Sequence, residues 1–164
     1  MKNHYSQPKG FVGRNICYAV YYDNQYYGHI VGGSATLNLP NRNEFFGITK
    51  KDLNSVVNNI FFNVSKINRS YPVRNFTTKI VSSFSHRIKN DWKEKYGDEI
   101  VGIETLVELP RKGELYLKDK FEIIGITKGY TCKRVSGKST DSYTGRRVWN
   151  HTDLKPKLVL AKKI

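Results

Sequence analysis

Cysteine is almost missing from this chain: Cys17 and Cys132 are the two in 164 residues, far apart and without the spacing of a metal site. That excludes a disulfide framework and points to a reducing compartment. Long apolar runs are missing as well. No stretch approaches the ~18 apolar residues of a membrane helix, and Met1-Lys2-Asn3-His4 opens the chain without the apolar segment of a secretory leader. No membrane partner is expected, and the expected location is the cytoplasm. There is no P-loop, G-x-S-x-G, H-E-x-x-H or C-x-x-C motif. No carboxylate cluster of the kind that holds catalytic Mg²⁺ is visible, so no metal is expected. Acids are also scarce: 14 Asp and Glu face 28 Lys and Arg, a net charge of +14.

Such a field attracts polyanions, nucleic acid above all, through phosphate neutralisation and counterion release. The excess is uneven. Residues 128–164 hold ten Lys or Arg and two acids, hence +8, with Tyr130, Tyr143 and Trp149 interleaved. Basic groups hold phosphates and aromatic rings stack on exposed bases. Lys133, Arg134, Lys138, Arg146, Arg147 and Trp149 are therefore candidate DNA contacts, with double-stranded DNA as the expected partner. Their segment is rich in Ser, Thr and Gly and reads as a loop that orders on DNA. The alternative is a solvated tail with its aromatics on the core.

Apolar residues make up 38% of the chain, enough for one domain over residues 1–164 ending in the basic segment 128–164. Residues 16–22 alternate around Tyr18, Val20 and Tyr22 as a half-buried strand, turn at Asp23-Asn24-Gln25, and return through 26–31 as a hairpin. Gly28, Gly32 and Gly33 mark a bulge or a close backbone approach. Cys17, in the apolar run, reads as a small core residue. Residues 37–55 look like a polar loop, and 56–64 a strand carrying Asn58 and Asn59. Phe76, Ile80, Phe84, Ile88 and Trp92 recur every four residues, one face of a long helix. Asn75 is placed to cap its start by side chain, and Gly97 to end it. Residues 100–108 alternate in two sets, with Glu104 and Glu108 on one face and Thr105 on the other. A short helix over 114–120, a strand over 121–127 and a last strand over 158–160 complete an α/β fold with a central sheet.

Glu104 and Glu108 are the best acid–base candidates. Acids at the carboxyl end of a strand lie where open α/β sheets place active sites, and one of them could take a proton from an attacking amine. The alternative is a pair of ordinary surface acids. Arg74 and Asn75 could meet a phosphate at the positive end of the helix. Tyr116 by itself reads as core, and His4-Tyr5 as an exposed terminus.

His4-Tyr5-Ser6, the hairpin running to Gly33-Ser34-Ala35, Arg74-Asn75 before the long helix, the Tyr96-Gly97 stop and Thr105-Leu106-Val107-Glu108 together resemble the Mom-type phage DNA-modification family. Gly113, Tyr116, Phe121 and Gly125 resemble that family's later Gly-Tyr-aromatic-Gly region. Asp91-Trp92, Tyr96-Gly97 and Glu104 to Glu108 resemble the domain of Druantia-type anti-phage systems. Both families look like divergent members of the GNAT acyltransferase fold. The resemblance implies a GNAT-like mixed sheet with a long amphipathic helix and a short one. It implies a transferase acting on the N6 amine of adenine in DNA, in a bacterial host cell, which protects DNA from restriction. Thr105 then stands for the family serine, Glu108 for the aspartate and Tyr116 for the later tyrosine, while His4 and Tyr5 match the amino-terminal pair. Thr for Ser adds a methyl and Glu for Asp a methylene. The basic, glycine-rich loop that holds acyl-CoA is not recognisable before Asn75, so the cofactor is left unknown: an acyl-CoA-like or another activated donor.

In the resulting mechanism an adenine is turned out of the stack toward Glu108. Glu108 acts as base, with Thr105, Asn75 and Tyr116 around it. The second hypothesis is a DNA-binding module of a phage or anti-phage system that does no chemistry.

Overall fold

The computed structural model describes residues 11, 13–132, 149–150 and 154–164. Strand β1 (Asn15–Tyr22) turns at Asp23 and Asn24 into β2 (Gln25–Ser34). Both turn residues take positive φ, 48° and 59°, the two-residue turn whose twist suits a hairpin. Gly28 is required in β2. Its φ is +145°, and a Cβ there would lie 2.0 Å from the Asn63 carbonyl oxygen of the next strand. Cys17 is exposed, not core. It is out of phase with Tyr18 and Val20 on a two-residue period, so it lies on the opposite face of β1.

The segment expected as loop folds into helix α1 (Pro40–Phe46) and a 3-10 turn (Lys50–Ser55). Pro40 starts α1, where its missing N–H costs nothing. Thr49 and Asp52 form a capping box for the 3-10 turn. Strand β3 (Val56–Val64) then leads to α2 (Phe76–Tyr96). The four-residue spacing works as expected: Phe76, Ile80, Phe84, Ile88 and Trp92 are all buried on the sheet, and Gly97 ends the helix at φ 76°. Asn75 is the residue before the first helical turn, as expected, but it does not cap by side chain. It is itself left-handed (φ 57°).

Strand β4 (Gly102–Glu108), helix α3 (Glu114–Leu117), β5 (Glu122–Ile126), the small pair β6 (Thr131–Cys132) and β7 (Trp149–Asn150), and β8 (Lys157–Lys163) follow. The main sheet is mixed, in the order β1-β2-β3-β4-β8-β5, with β3 and β4 parallel and the other neighbours antiparallel. This is the α/β class expected. The hydrophobic cluster lies between the sheet and α2 and continues to α3 through Tyr116 and Phe121. Truncating a buried ring such as Phe84 to Ala there costs about 3–5 kcal/mol. No helix among the described residues is long and apolar enough to cross a membrane.

Candidate functional site

The sheet has an open seam. β3 and β4 pair only from Val56, Val57 and Asn58 to Gly102, Ile103 and Glu104. Beyond that point β3 continues along β2, and β4 along β8, and the two strands part. At the fork, the Thr105 hydroxyl donates to the Asn59 carbonyl oxygen at 3.1 Å. Asn59 also repairs a bulge. The β2–β3 register shifts between Val31 and Gly32, and the Asn59 side-chain amide donates to the carbonyls of Val31 (3.0 Å) and Phe61 (3.1 Å).

On the α2–α3 side the fork opens into a cleft of about 490 Å³, lined among others by Asn59, Phe61, Thr105, Lys112 and Tyr116. Tyr116 is held there by α3, which starts from Gly113 at φ 67°. Its hydroxyl donates to the Asn59 side-chain oxygen at 2.6 Å, and Tyr116 is buried. Both Asn59 N–H groups are already committed, so the amide is fixed and its oxygen can only accept.

The opposite face of β4 carries Glu104, Leu106 and Glu108. Glu104 is not a surface acid but fully buried, paired with Arg42 of α1, also fully buried, at 2.5 Å. Its other oxygen accepts the Thr36 backbone N–H at 2.6 Å. Arg42 donates further to the Thr36 carbonyl (2.7 Å) and to the Asn43 side chain (2.7 Å). The Asn58 amide donates to the Thr36 hydroxyl at 2.9 Å. Burial pushes the Glu104 carboxyl above the usual carboxylate range, against the pull of the Thr36 amide and Arg42. This network pins residues 36–42 across the last paired rung of β3 and β4. Glu104 thereby belongs to a buried network, and the alternative of an ordinary surface acid does not hold for it.

Glu108, the last residue of β4, is half-buried beside a groove of about 520 Å³ whose walls include Lys128, Tyr130, Lys155 and Lys157. Lys157 is its partner in the β4–β8 ladder. The groove thus sets one carboxylate among three cations, open to solvent at the end of the seam.

The structure brings Thr105 and Tyr116 together through Asn59, on one face. It puts Glu108 on the other, so Glu108 is not surrounded by Thr105 and Tyr116 as expected; the sheet separates them. Asn75 and Arg74 are exposed at the start of α2 and line neither groove. His4, Tyr5, Lys133, Arg134, Lys138, Arg146 and Arg147 lie outside the described residues, and Trp149 is described only as backbone in β7. Sequence reasoning missed Asn59 and Arg42. Two adjacent asparagines inside an apolar strand were a signal for the first. The second carried none, because its helix read as loop.

Among solved structures the chain is similar to a GNAT-family acetyltransferase from Elizabethkingia anophelis with acetyl-CoA bound. The identity is 14%, over 90% of this chain and 75% of that one, with a TM-score of 0.51. It is also similar to the aminoglycoside 6'-N-acetyltransferase from Enterococcus faecium, at 11% identity over 91% of this chain and 74% of that one, with a TM-score of 0.46. No curated protein matches the chain. The first of these likenesses establishes the fold as GNAT-like, the mixed sheet that the resemblance implied. The model of the family described as Druantia protein DruA matches residues 1–153, and the chain belongs to that family.

Proposed function

We propose that the protein is a transferase that modifies a DNA base, the exocyclic N6 amine of adenine being the target the Mom-type resemblance suggests. The observation that carries this reading is the open seam with a groove on each face of β4. One groove suits a donor and the other an acceptor, on either side of the point where the strands part. On the acceptor side, Lys128, Lys155 and Lys157 hold phosphates while Glu108 faces the amine. That nitrogen is a poor nucleophile because its lone pair is delocalised into the ring. Glu108 takes its proton as the new N–C bond forms and the donor's leaving group departs. On the donor side, Tyr116 and Thr105 line the cleft, and Asn59 fixes the tyrosine hydroxyl.

Acetyl-CoA, which the Elizabethkingia neighbour binds, does not fit the start of α2 well. Residues 65–75 contain no glycine, and Asn68, Arg69 and Asn75 occupy left-handed conformations with full side chains. That segment offers no glycine-lined backbone cradle for a pyrophosphate. The donor in this reading is a small activated carbon electrophile. The same feature favours the second reading, a DNA-binding member of the family without chemistry.

Mass spectrometry of nucleosides from the DNA of expressing cells separates the two. A modified adenosine that disappears with Glu108→Gln, while the fold persists, is the expected result. Unmodified DNA with the intact protein, or full modification by Glu108→Gln, overturns the mechanism. Duplex binding should weaken linearly in log–log salt titration, and a flat slope removes the DNA partner.

A further inference from the structure

Edge strand β1 and helix α2 enclose a third groove, of about 620 Å³, away from both sides of the seam. Its floor is apolar, built by Val20, Ile30, Ile80 and Phe84. Tyr18, Tyr21 and Tyr22 line it from β1. Lys79, Ser83 and Arg87 line it from α2, where spacings of four residues put them on one face. At its mouth, Tyr22, Tyr27 and Tyr71 each pack on Phe76 with ring centroids 6.1, 5.0 and 5.7 Å apart. Five of the eleven tyrosines of the chain line or flank it: Tyr18, Tyr21, Tyr22, Tyr27 and Tyr71. Tyr21 and Tyr22 are 62% and 43% exposed, far more than rings that exist to fill a core.

The charge is one-sided. From Leu53 to Asn90 the chain has no acid and six cations: Lys66, Arg69, Arg74, Lys79, Arg87 and Lys89. Lys66 sits 5.5 Å over the Tyr71 ring and Arg87 5.3 Å over Tyr18. Helix α2 starts at this end with no acid in its first turn, which leaves the positive end of its dipole uncompensated. The acids here are Asp23 at the hairpin turn and Asp91. Asp91 accepts the Tyr18 hydroxyl at 2.7 Å and pairs with Arg87 at 3.4 Å.

We propose that this groove binds single-stranded nucleic acid, with bases stacked on the exposed tyrosines and phosphates along the α2 cations. Charge selects a polyanion. The aromatic faces select unpaired bases, because a duplex keeps its bases stacked on one another. An acidic peptide would satisfy the cations and leave the tyrosines unused. The inference rests on the nucleic-acid half of the proposed function and needs no transfer chemistry.

The test is fluorescence anisotropy of the full chain with a labelled oligo-dT and with a mixed-sequence duplex of equal length. The double variant Tyr22→Ala/Lys79→Glu should weaken oligo-dT binding about tenfold or more and leave duplex binding unchanged, while Tyr22→Phe retains both. Arg87→Ala, at a side chain 67% exposed, decides the matter should the double variant unfold. It should weaken the single strand selectively. Equal loss for both ligands, or displacement of oligo-dT by poly-glutamate as readily as by unlabelled oligo-dT, overturns the proposal. Duplex binding by the intact protein, with oligo-dT affinity unaltered in the variants, sinks this inference and spares the proposed function. Binding of neither ligand sinks both.

Discussion

Replacing Glu104 by Gln keeps the shape of the side chain and removes its charge, and the structure sets the cost. Both members of the Arg42–Glu104 pair have fully buried side chains. Gln has one acceptor oxygen where Glu104 has two, yet two donors converge on them, Thr36 N–H at 2.6 Å and the Arg42 guanidinium at 2.5 Å. One donor must then face an N–H₂ group, and Arg42 stays buried without a counter-charge. Breaking a buried pair from one side costs about 3–5 kcal/mol. Domains are stable by about 5–15 kcal/mol in all. At about 2–4 °C per kcal/mol for a chain of this size, the midpoint of thermal unfolding should fall on the order of 10 °C. Urea unfolding followed by tryptophan fluorescence and circular dichroism gives the free energy directly. Arg42→Met/Glu104→Met should recover part of the loss, since it removes both charges but leaves the Thr36 amide and carbonyl without those partners. A Glu104→Gln protein destabilised by less than about 1 kcal/mol, or a double variant worse than the sum of the singles, refutes the network as described.

Tyr116→Phe strands the Asn59 side-chain oxygen in a buried position, at a cost of about 1–3 kcal/mol in unfolding free energy; a neutral effect would show that the oxygen finds another donor. Asp52, in its capping box, is held below the usual carboxylate range by the Thr49 hydroxyl and amide. A depressed folded pKa stabilises above the unfolded value and is lost as pH falls through the folded one. The Thr49 amide resonance should therefore shift in acid, below the ordinary value of 3.8, and an Asp52→Asn protein should lack that transition.

Periodicity told the truth wherever one rule governed an element. The four-residue repeat from Phe76 to Trp92 could bury its apolar face only as α2, and Asp23-Asn24 between alternating strands could turn only as a hairpin. The two-residue period of β4 likewise puts Glu104 and Glu108 opposite Thr105. The charge excess follows from composition alone. Long-range geometry decided the rest. Nothing local marks Arg42 as buried, because its partner stands sixty-two positions away and only the packing of α1 on the sheet joins them. Nothing in the order of residues says that β3 and β4 part after Asn58. That depends on the β2 bulge, on Asn59 filling it, and on β8 arriving from the end of the chain to take the other side of β4. The seam, its two faces, and the separation of Glu108 from Tyr116 are therefore properties of the assembled sheet, because strand pairing is settled between segments distant in sequence.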